Sequence, residues 1–392
     1  MGAMKNDVIV VGAGLVGASI ALLLVRQGLR VTLLEQNLPD FTQQKNDRPL
    51  SLAYGSQQIL STLGVWPSLI KHACAIEKVH VSEQGRFGLT QFMAEEMQVP
   101  ALGYVVSFNR LHRALYEKVM ASDIRLVQNK SIKNIHCDEL ASTLFIETKE
   151  GDQTLKADLI IAADGTLSHC RELMGIGVDK TAHHAQAVIA NLVLSEPHQH
   201  CAYERFTKQG TLAILPLHND HEARLVWTLT DECVEQINAL NDDQFLEHVQ
   251  TVFAGRLDIQ SLQRVTTFPL QTTIAKQQIS TGFVLLGNAA HTIFPVAAQG
   301  FNLGLRGAYI LSRVLAKAIR RDQAIGSLET LKGYEQLSLK GQKKTRRITA
   351  GLVDLFDLDL PGFGKLRGAG LLGLELMRPL KQRLAKRLMG YK

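Results

Sequence analysis

The sequence lacks any apolar run of the roughly 18 residues that a helix needs to cross a bilayer, which argues against an integral helical membrane protein. Its five cysteines, Cys74, Cys137, Cys170, Cys201 and Cys233, show no paired spacing, and their odd number argues against a disulfide framework. A reducing cytoplasm is the simplest expectation, since Lys5-Asn6-Asp7 leads straight into the first strand with no signal segment. Aromatic residues are scarce, at 6%, and they are not interleaved with the basic residues that give the net charge of +6, so no nucleic acid is expected as a partner. There is no Gly-x-Ser-x-Gly elbow for a hydrolase. His198, His200 and Cys201 follow Pro197 as a polar loop, and His183-His184 and His218 with His221 read the same way, so no metal is expected. Internal repeats and low-complexity linkers are also missing. What remains is a chain of 392 residues, 46% hydrophobic and 20% charged, the size of two globular domains with an extension.

Glycine is where the information lies. Val8–Val11 reads as a buried strand, Gly12-Ala13-Gly14-Leu15-Val16-Gly17 turns it into an apolar helix, and the strand Arg30–Leu34 closes on Glu35. The first glycine permits the tight turn, the second admits a pyrophosphate close to the backbone, and the third lets helix pack on strand. Glu35 lies about 20 residues further on, where an acidic side chain accepts hydrogen bonds from an adenosine ribose. Strand, turn, helix, strand and terminal acid in register form a dinucleotide-binding signature. A second strand-to-helix loop starts at Gly287-Asn288-Ala289-Ala290-His291 and runs through Pro295, Gln299 and Gly300 into a helix beginning near Phe301 and Asn302. Free N–H groups at such a helix start favour a phosphate or an electron-rich ring edge. The strand Ala157–Ala163, with its Asp164-Gly165 turn and Ser168 and Arg171 beyond, is the third element.

Taken in chain order, Gly12, Asp164 and Gly287, the three motifs resemble those of the class A flavoprotein monooxygenases. The Asn288-Ala289-Ala290-His291 variant followed by Gln299–Arg306 is similar to one branch, the ubiquinone-biosynthesis hydroxylases. Asp47-Arg48 before Leu50-Ser51-Leu52, Leu63-Gly64-Val65-Trp66, Asn109-Arg110, Glu204-Arg205-Phe206 and Val226-Trp227-Thr228 agree with that branch, so the resemblance covers nearly the whole chain. It implies an α/β fold in which a discontinuous Rossmann-like FAD-binding domain (1–75, 104–180, 271–345) carries an inserted mixed or antiparallel β-sheet substrate domain (76–103, 181–270) and C-terminal helices (346–392). It also implies FAD as cofactor and NAD(P)H as co-substrate, with no second nucleotide fold. Reduced flavin would react with O2 to give a peroxide on the ring, and the substrate would be a polyprenylated phenol. A small soluble aromatic substrate, or a flavin-binding subunit of a biosynthetic complex without catalysis, are the alternatives. The Trp-x-Trp-x-Ile-Pro segment of flavin-dependent halogenases is absent.

By the same resemblance the cofactor contacts fall on Gly12, Gly14, Leu15, Val16, Gly17, Glu35, Arg48, Arg110, Asp164, Gly165, Asn288, Pro295, Gln299, Gly300, Phe301 and Asn302. His291, Pro295 and Tyr203 are the catalytic candidates, His291 being either a general base or a residue that fixes its loop by hydrogen bonding. Phe294, Ala298 and Gly307 depart from the family's usual His, Gly and Asp. Near the end of the sequence Leu380, Leu384 and Leu388 recur every fourth residue beside Arg378, Lys381, Arg383, Lys386 and Arg387. Such a stripe is either a helix packed on the body or an attachment to an acidic membrane surface, peripheral to the inner membrane, or to a ubiquinone-biosynthesis complex. A homo-oligomer is also compatible with the sequence.

Overall fold

The computed structural model describes residues 6–41, 47–293, 299–357 and 363–390. Its first sheet has the parallel strands Phe283–Leu285, Gly151–Ala162, Asn6–Val11, Val31–Glu35 and Arg125–Gln128 side by side, with Val8 between Val31 and Leu159. Val8, Ile9 and Val10 have no exposed surface, as a parallel strand covered on both faces requires. The helix Leu15–Val25 is apolar on all sides because it too is buried, packing against the long helix Gln299–Ile319. A smaller sheet, Pro49–Ala53, Gly103–Ser107 and Cys74–Ile76, flanks this domain.

The second large sheet is antiparallel except where Lys78–Glu83 runs parallel to Cys201–Thr207. Its side chains alternate between two faces. On one face Val188, Leu212, Leu225 and Trp227 pack on Phe245, Val249 and Phe253 of the helix Asp242–Phe253, whose start is fixed by a capping box between Asn241 and Gln244. The opposite face looks toward the first sheet. Two strands of 17 residues each, Val178–Leu194 and Ile259–Ala275, pair from Val178 with Ala275 to Leu194 with Ile259. Both strands pass through 180/181 and 270/271 inside the second sheet, and the chain crosses between the two sheets at 163–177 and 276–278.

After the helix Leu328–Asp357, the helices Phe363–Leu376 and Arg378–Leu388 return to the body. Thr90 Oγ1 donates to Leu371 O (2.6 Å), Gln91 N to Glu375 Oε2 (2.9 Å) and Gly55 N to Met389 O (2.9 Å). Lys381, 2% exposed, bridges Glu96 and Glu375 at 2.9 Å each. Burial works against its ammonium, but hydrogen bonds and charge from the two carboxylates outweigh this and hold it above its ordinary value. The stripe anticipated from sequence is therefore divided. Leu384 and Leu388 turn inward, Leu380 stays exposed, and Lys381 belongs to the attachment of the helix rather than to a basic outer surface.

Candidate active site

The glycine turn is held by contacts that admit no side chain. Gly12 sits at φ +95°, and a Cβ there would come within 2.6 Å of Ala163 O. One on Gly17 would fall 1.8 Å from Gly12 O. Gly14 has open space where its Cβ would be, as do Gly165 (φ +89°) and Gly300. Glu35 Oε2 accepts from Ala13 N at 2.6 Å and Oε1 from Asn37 N at 3.0 Å, which places the carboxylate beside the turn. These bare glycines facing free volume, next to an anchored acid, fit the pyrophosphate and ribose of FAD.

Two further contacts bring the distant motifs together. A Cβ on Gly304 would meet Val16 Cγ2 at 3.0 Å and Gly287 Cα at 3.3 Å, so the first glycine motif touches both the start of the Gly287 loop and the helix that follows it. Arg171, 5% exposed, donates to Ala289 O (2.9 Å) and Thr166 O (3.0 Å), clamping the Asp164-Gly165 turn to the Asn288 loop, while Thr166 Oγ1 meets Thr292 Oγ1 at 2.9 Å. Sequence reading places Arg171 after the turn but assigns it no role; only the fold reveals the clamp. Asp164 spends both carboxylate oxygens on the start of the helix His169–Leu173, accepting from Ser168 Oγ (2.6 Å) and Cys170 N (3.0 Å). Asn302 accepts from Ala53 N (2.8 Å) and donates to Ser51 O (2.9 Å), stitching the start of the helix Gln299–Ile319 to the strand Pro49–Ala53.

A cavity of about 1070 Å³ opens between the two sheets. Gly14, Leu15, Val16, Arg48, Gly165, Asn288, Gly300, Phe301 and Asn302 line its flavin end, and Arg48 lies over the Phe108 ring at 4.6 Å. Its floor is the open face of the second sheet. There one register row crosses seven strands: Thr90, Val81, Glu204, Ala213, Val226, Ile189 and Thr266. Leu371, Leu374, Leu384 and Leu388 of the last two helices wall the far end. Glu204 is the charged member of the row. It lines the cavity with part of its surface open to it, and the surrounding protein pushes its carboxyl up to about 7 by desolvation.

Other expected site residues stand elsewhere. Arg110 is exposed and does not line the cavity. Tyr203 touches it, but as Glu204's neighbour on a strand it points to the opposite face, its ring 5.5 Å from Phe253 and 5.6 Å from His80, and burial raises its hydroxyl well above the ordinary range. His291 is buried beside the strand Ile259–Ala275 and lines a separate cavity of about 90 Å³ with Gln278, Leu303, Glu335 and Gln342. Two of the three catalytic candidates thus lie off the floor of the large cavity; Pro295, like Phe294 and Ala298, lies outside the described residues, as does the side chain of Gln299. Gly307 packs on Leu286, and a Cβ at that position would lie 3.3 Å from Leu286 Cδ1, so the family's Asp has little room there. Cys74, His198 and His200 do cluster, yet both His198 ring nitrogens are engaged, Nδ1 accepting from His200 N (3.1 Å) and Nε2 donating to Leu217 O (2.9 Å). That arrangement secures a loop.

A Rossmann-type glycine cradle joined to a cavity over a second, mixed sheet defines a flavoprotein. A family model described as an FAD binding domain matches residues 5–340, and the chain belongs to that family, the class A flavoprotein monooxygenases that hydroxylate aromatic rings. It is similar to the 3-demethoxyubiquinol 3-hydroxylase of Escherichia coli (29% identity, 98% of each chain) and to the ubiquinone hydroxylase UbiL of Rhodospirillum rubrum (28%, covering 98% of this chain and 89% of the relative). Among solved structures, p-nitrophenol 4-monooxygenase PnpA from Pseudomonas putida shares the fold, with a TM-score of 0.77 over 99% of both chains at 16% identity.

Proposed function

We propose that this protein hydroxylates the ring of a phenol carrying a polyprenyl tail, on the route to ubiquinone, with O2 as oxidant and NAD(P)H as electron donor. The observation that carries the reading is the lining of the cavity, where Phe92, Leu371, Leu374, Leu384 and Leu388 add an apolar wall beyond the residues of the flavin motifs. Each CH2 of a tail buried there is worth about 0.8 kcal/mol. A small soluble aromatic acid would leave those leucines uncovered. Bound flavin supplies activated oxygen; the chain's own residues orient the ring and keep water out.

The test is turnover of NAD(P)H coupled to hydroxylated product, with phenols bearing no tail, one isoprene unit and several. We expect kcat/KM to rise at least about tenfold from the tail-less to the tailed phenol. A preference for the tail-less acid would favour a soluble substrate, and flavin reduction without oxygen transfer would favour a non-catalytic subunit.

A tailed phenol partitions into lipid, so the protein collects it at a membrane surface. Among the described residues no helix is long and apolar enough to cross a membrane. Exposed Leu372, Leu376, Met377 and Leu380 stand beside exposed Arg378 and Arg383 on the helices that wall the tail end, a combination suited to anionic headgroups. Sedimentation with anionic vesicles should fall in a Leu376→Ser/Leu380→Ser variant and at high salt.

A further inference from the structure

The strand Cys201–Thr207 treats its polar side chains unequally. Arg205, on the helix-covered face, is 3% exposed and held by two hydrogen bonds, Nε donating to Val252 O at 2.6 Å and Nη1 to Ser82 Oγ at 3.0 Å. Glu204, one residue earlier, faces the cavity between Val81 and Ala213, with Val226 next in the row, and has no hydrogen-bond or ion-pair partner among the described residues. A carboxyl facing apolar neighbours without a partner destabilises the fold that holds it. Its position is explained by something that enters the cavity.

We propose that Glu204 is a catalytic residue that accepts the ring hydroxyl of the phenol and takes its proton as oxygen transfer begins. The inference rests on the reading of the protein as a phenol hydroxylase. In the step, the phenol O–H bond breaks, its electron pair stays on the ring oxygen, and the proton forms a new O–H bond on the Glu204 carboxylate. The ring carbons gain electron density, which is what an electrophilic oxygen requires of them. When the ring regains aromaticity, the C–H bond at the carbon that received oxygen breaks, its electron pair returns to the ring, and its proton goes to the oxygen atom left behind by the transfer, which departs as water. Glu204 gives its own proton back to the ring oxygen, and the O2 and NAD(P)H of the proposed function are the oxidant and reductant. A carboxyl whose affinity for protons lies near neutrality is suited to hold and return one in this way.

The probe is 2-decyl-4-nitrophenol bound to the FAD-loaded protein, whose absorbance distinguishes phenol from phenolate without turnover. In the wild-type protein the carboxylate opposes a second negative charge, so the pair keeps one proton to higher pH. In Glu204→Gln an amide N–H stabilises the phenolate. The midpoint for ionisation of the bound probe should therefore fall by at least about one pH unit, tenfold in proton concentration, in Glu204→Gln. With a turned-over phenol, kcat should drop about a hundredfold, and the rise of kcat/KM with pH near neutrality should disappear; Glu204→Asp should restore that pH dependence. An unchanged midpoint together with an unchanged pH profile in a folded, FAD-loaded Glu204→Gln protein overturns the assignment of Glu204. Failure of the wild-type protein to bind the probe overturns the phenol reading itself and the proposal with it.

Discussion

The two ends of the large cavity are built by different means. At the flavin end the support is main chain: behind the lining Gly12 packs against Ala163, Gly17 against Gly12, and Gly304 and Gly287 against Val16, while Gly14, Gly165 and Gly300 leave their backbone open to the cavity and side chains such as Arg171 hold the turns. At the far end it is side chain, set on one face of a sheet and on two helices that a buried ion pair and a few hydrogen bonds attach. Main chain can approach a pyrophosphate closely but cannot be retuned without moving the fold. Side chains on a sheet floor can change while the strands stay in place, so the second end is where related enzymes are free to differ in what they bind.

The largest test of this contrast is Gly14→Leu. Gly14 has open space in the protein alone, so the variant should fold, yet its side chain would occupy the pyrophosphate approach and weaken FAD retention by at least about a hundredfold, roughly 3 kcal/mol, read from the absorbance of the purified protein. A variant that retains FAD would mean that the main chain does not form the contact surface at this end. Next is Lys381→Met, which leaves Glu96 and Glu375 facing one another. Both carboxylates keep about a third of their surface, so the loss should be about 2 kcal/mol, below that of a fully buried pair, and thermal unfolding together with limited proteolysis of the last helices would measure it.

The third test uses pH. The Glu204 carboxyl is raised in the fold from 4.5 to about 7, so between those values the folded state holds a proton that the unfolded state has released. Its ionisation therefore weakens the fold as pH rises through that window, and no such loss is present below 4.5. Glu204→Gln should be about 1–2 kcal/mol more stable than wild type at pH 8 and equal to it at pH 4, by denaturant titration of the FAD-free protein. Equal stability at both would place the carboxyl in contact with water. The smallest effect is expected at Gly307→Ala, where the helix gains about 1 kcal/mol from the loss of glycine and gives most of it back to crowding against Leu286, for a net change under 1 kcal/mol.

The same contrast explains what could be read from the amino acids. Gly12, Gly17, Gly287 and the strands Asn6–Val11 and Val31–Glu35 are legible because glycine identity and continuous apolar runs state a backbone requirement directly. The floor of the cavity is not legible in that way. In Ala202-Tyr203-Glu204-Arg205-Phe206 the alternation separates two faces, but only tertiary packing says which face meets the ligand, and the tyrosine proves to be on the covered one. His291 sits in a loop whose glycine motif is clear, while its direction depends on pairing with a strand whose partly exposed Thr and Gln residues give no simple period. Lys381 reads as one more surface cation until Glu96, far away in sequence, is brought to it.

That last pairing also bears on the order in which the molecule folds. Gly55 with Met389, Thr90 with Leu371 and Lys381 with Glu96 join segments 281 or more residues apart, whereas the turn Gly12–Gly17 closes on itself, Gly17 against Gly12, and on Glu35, which accepts from Ala13 N. Closing a long loop carries an entropic delay that grows with its length, so the far wall of the cavity is the late event in folding and the nucleotide turn an early one. A chain whose nucleotide turn has just closed is still open to water at the tail end, and the last helices to dock convert it into a vessel.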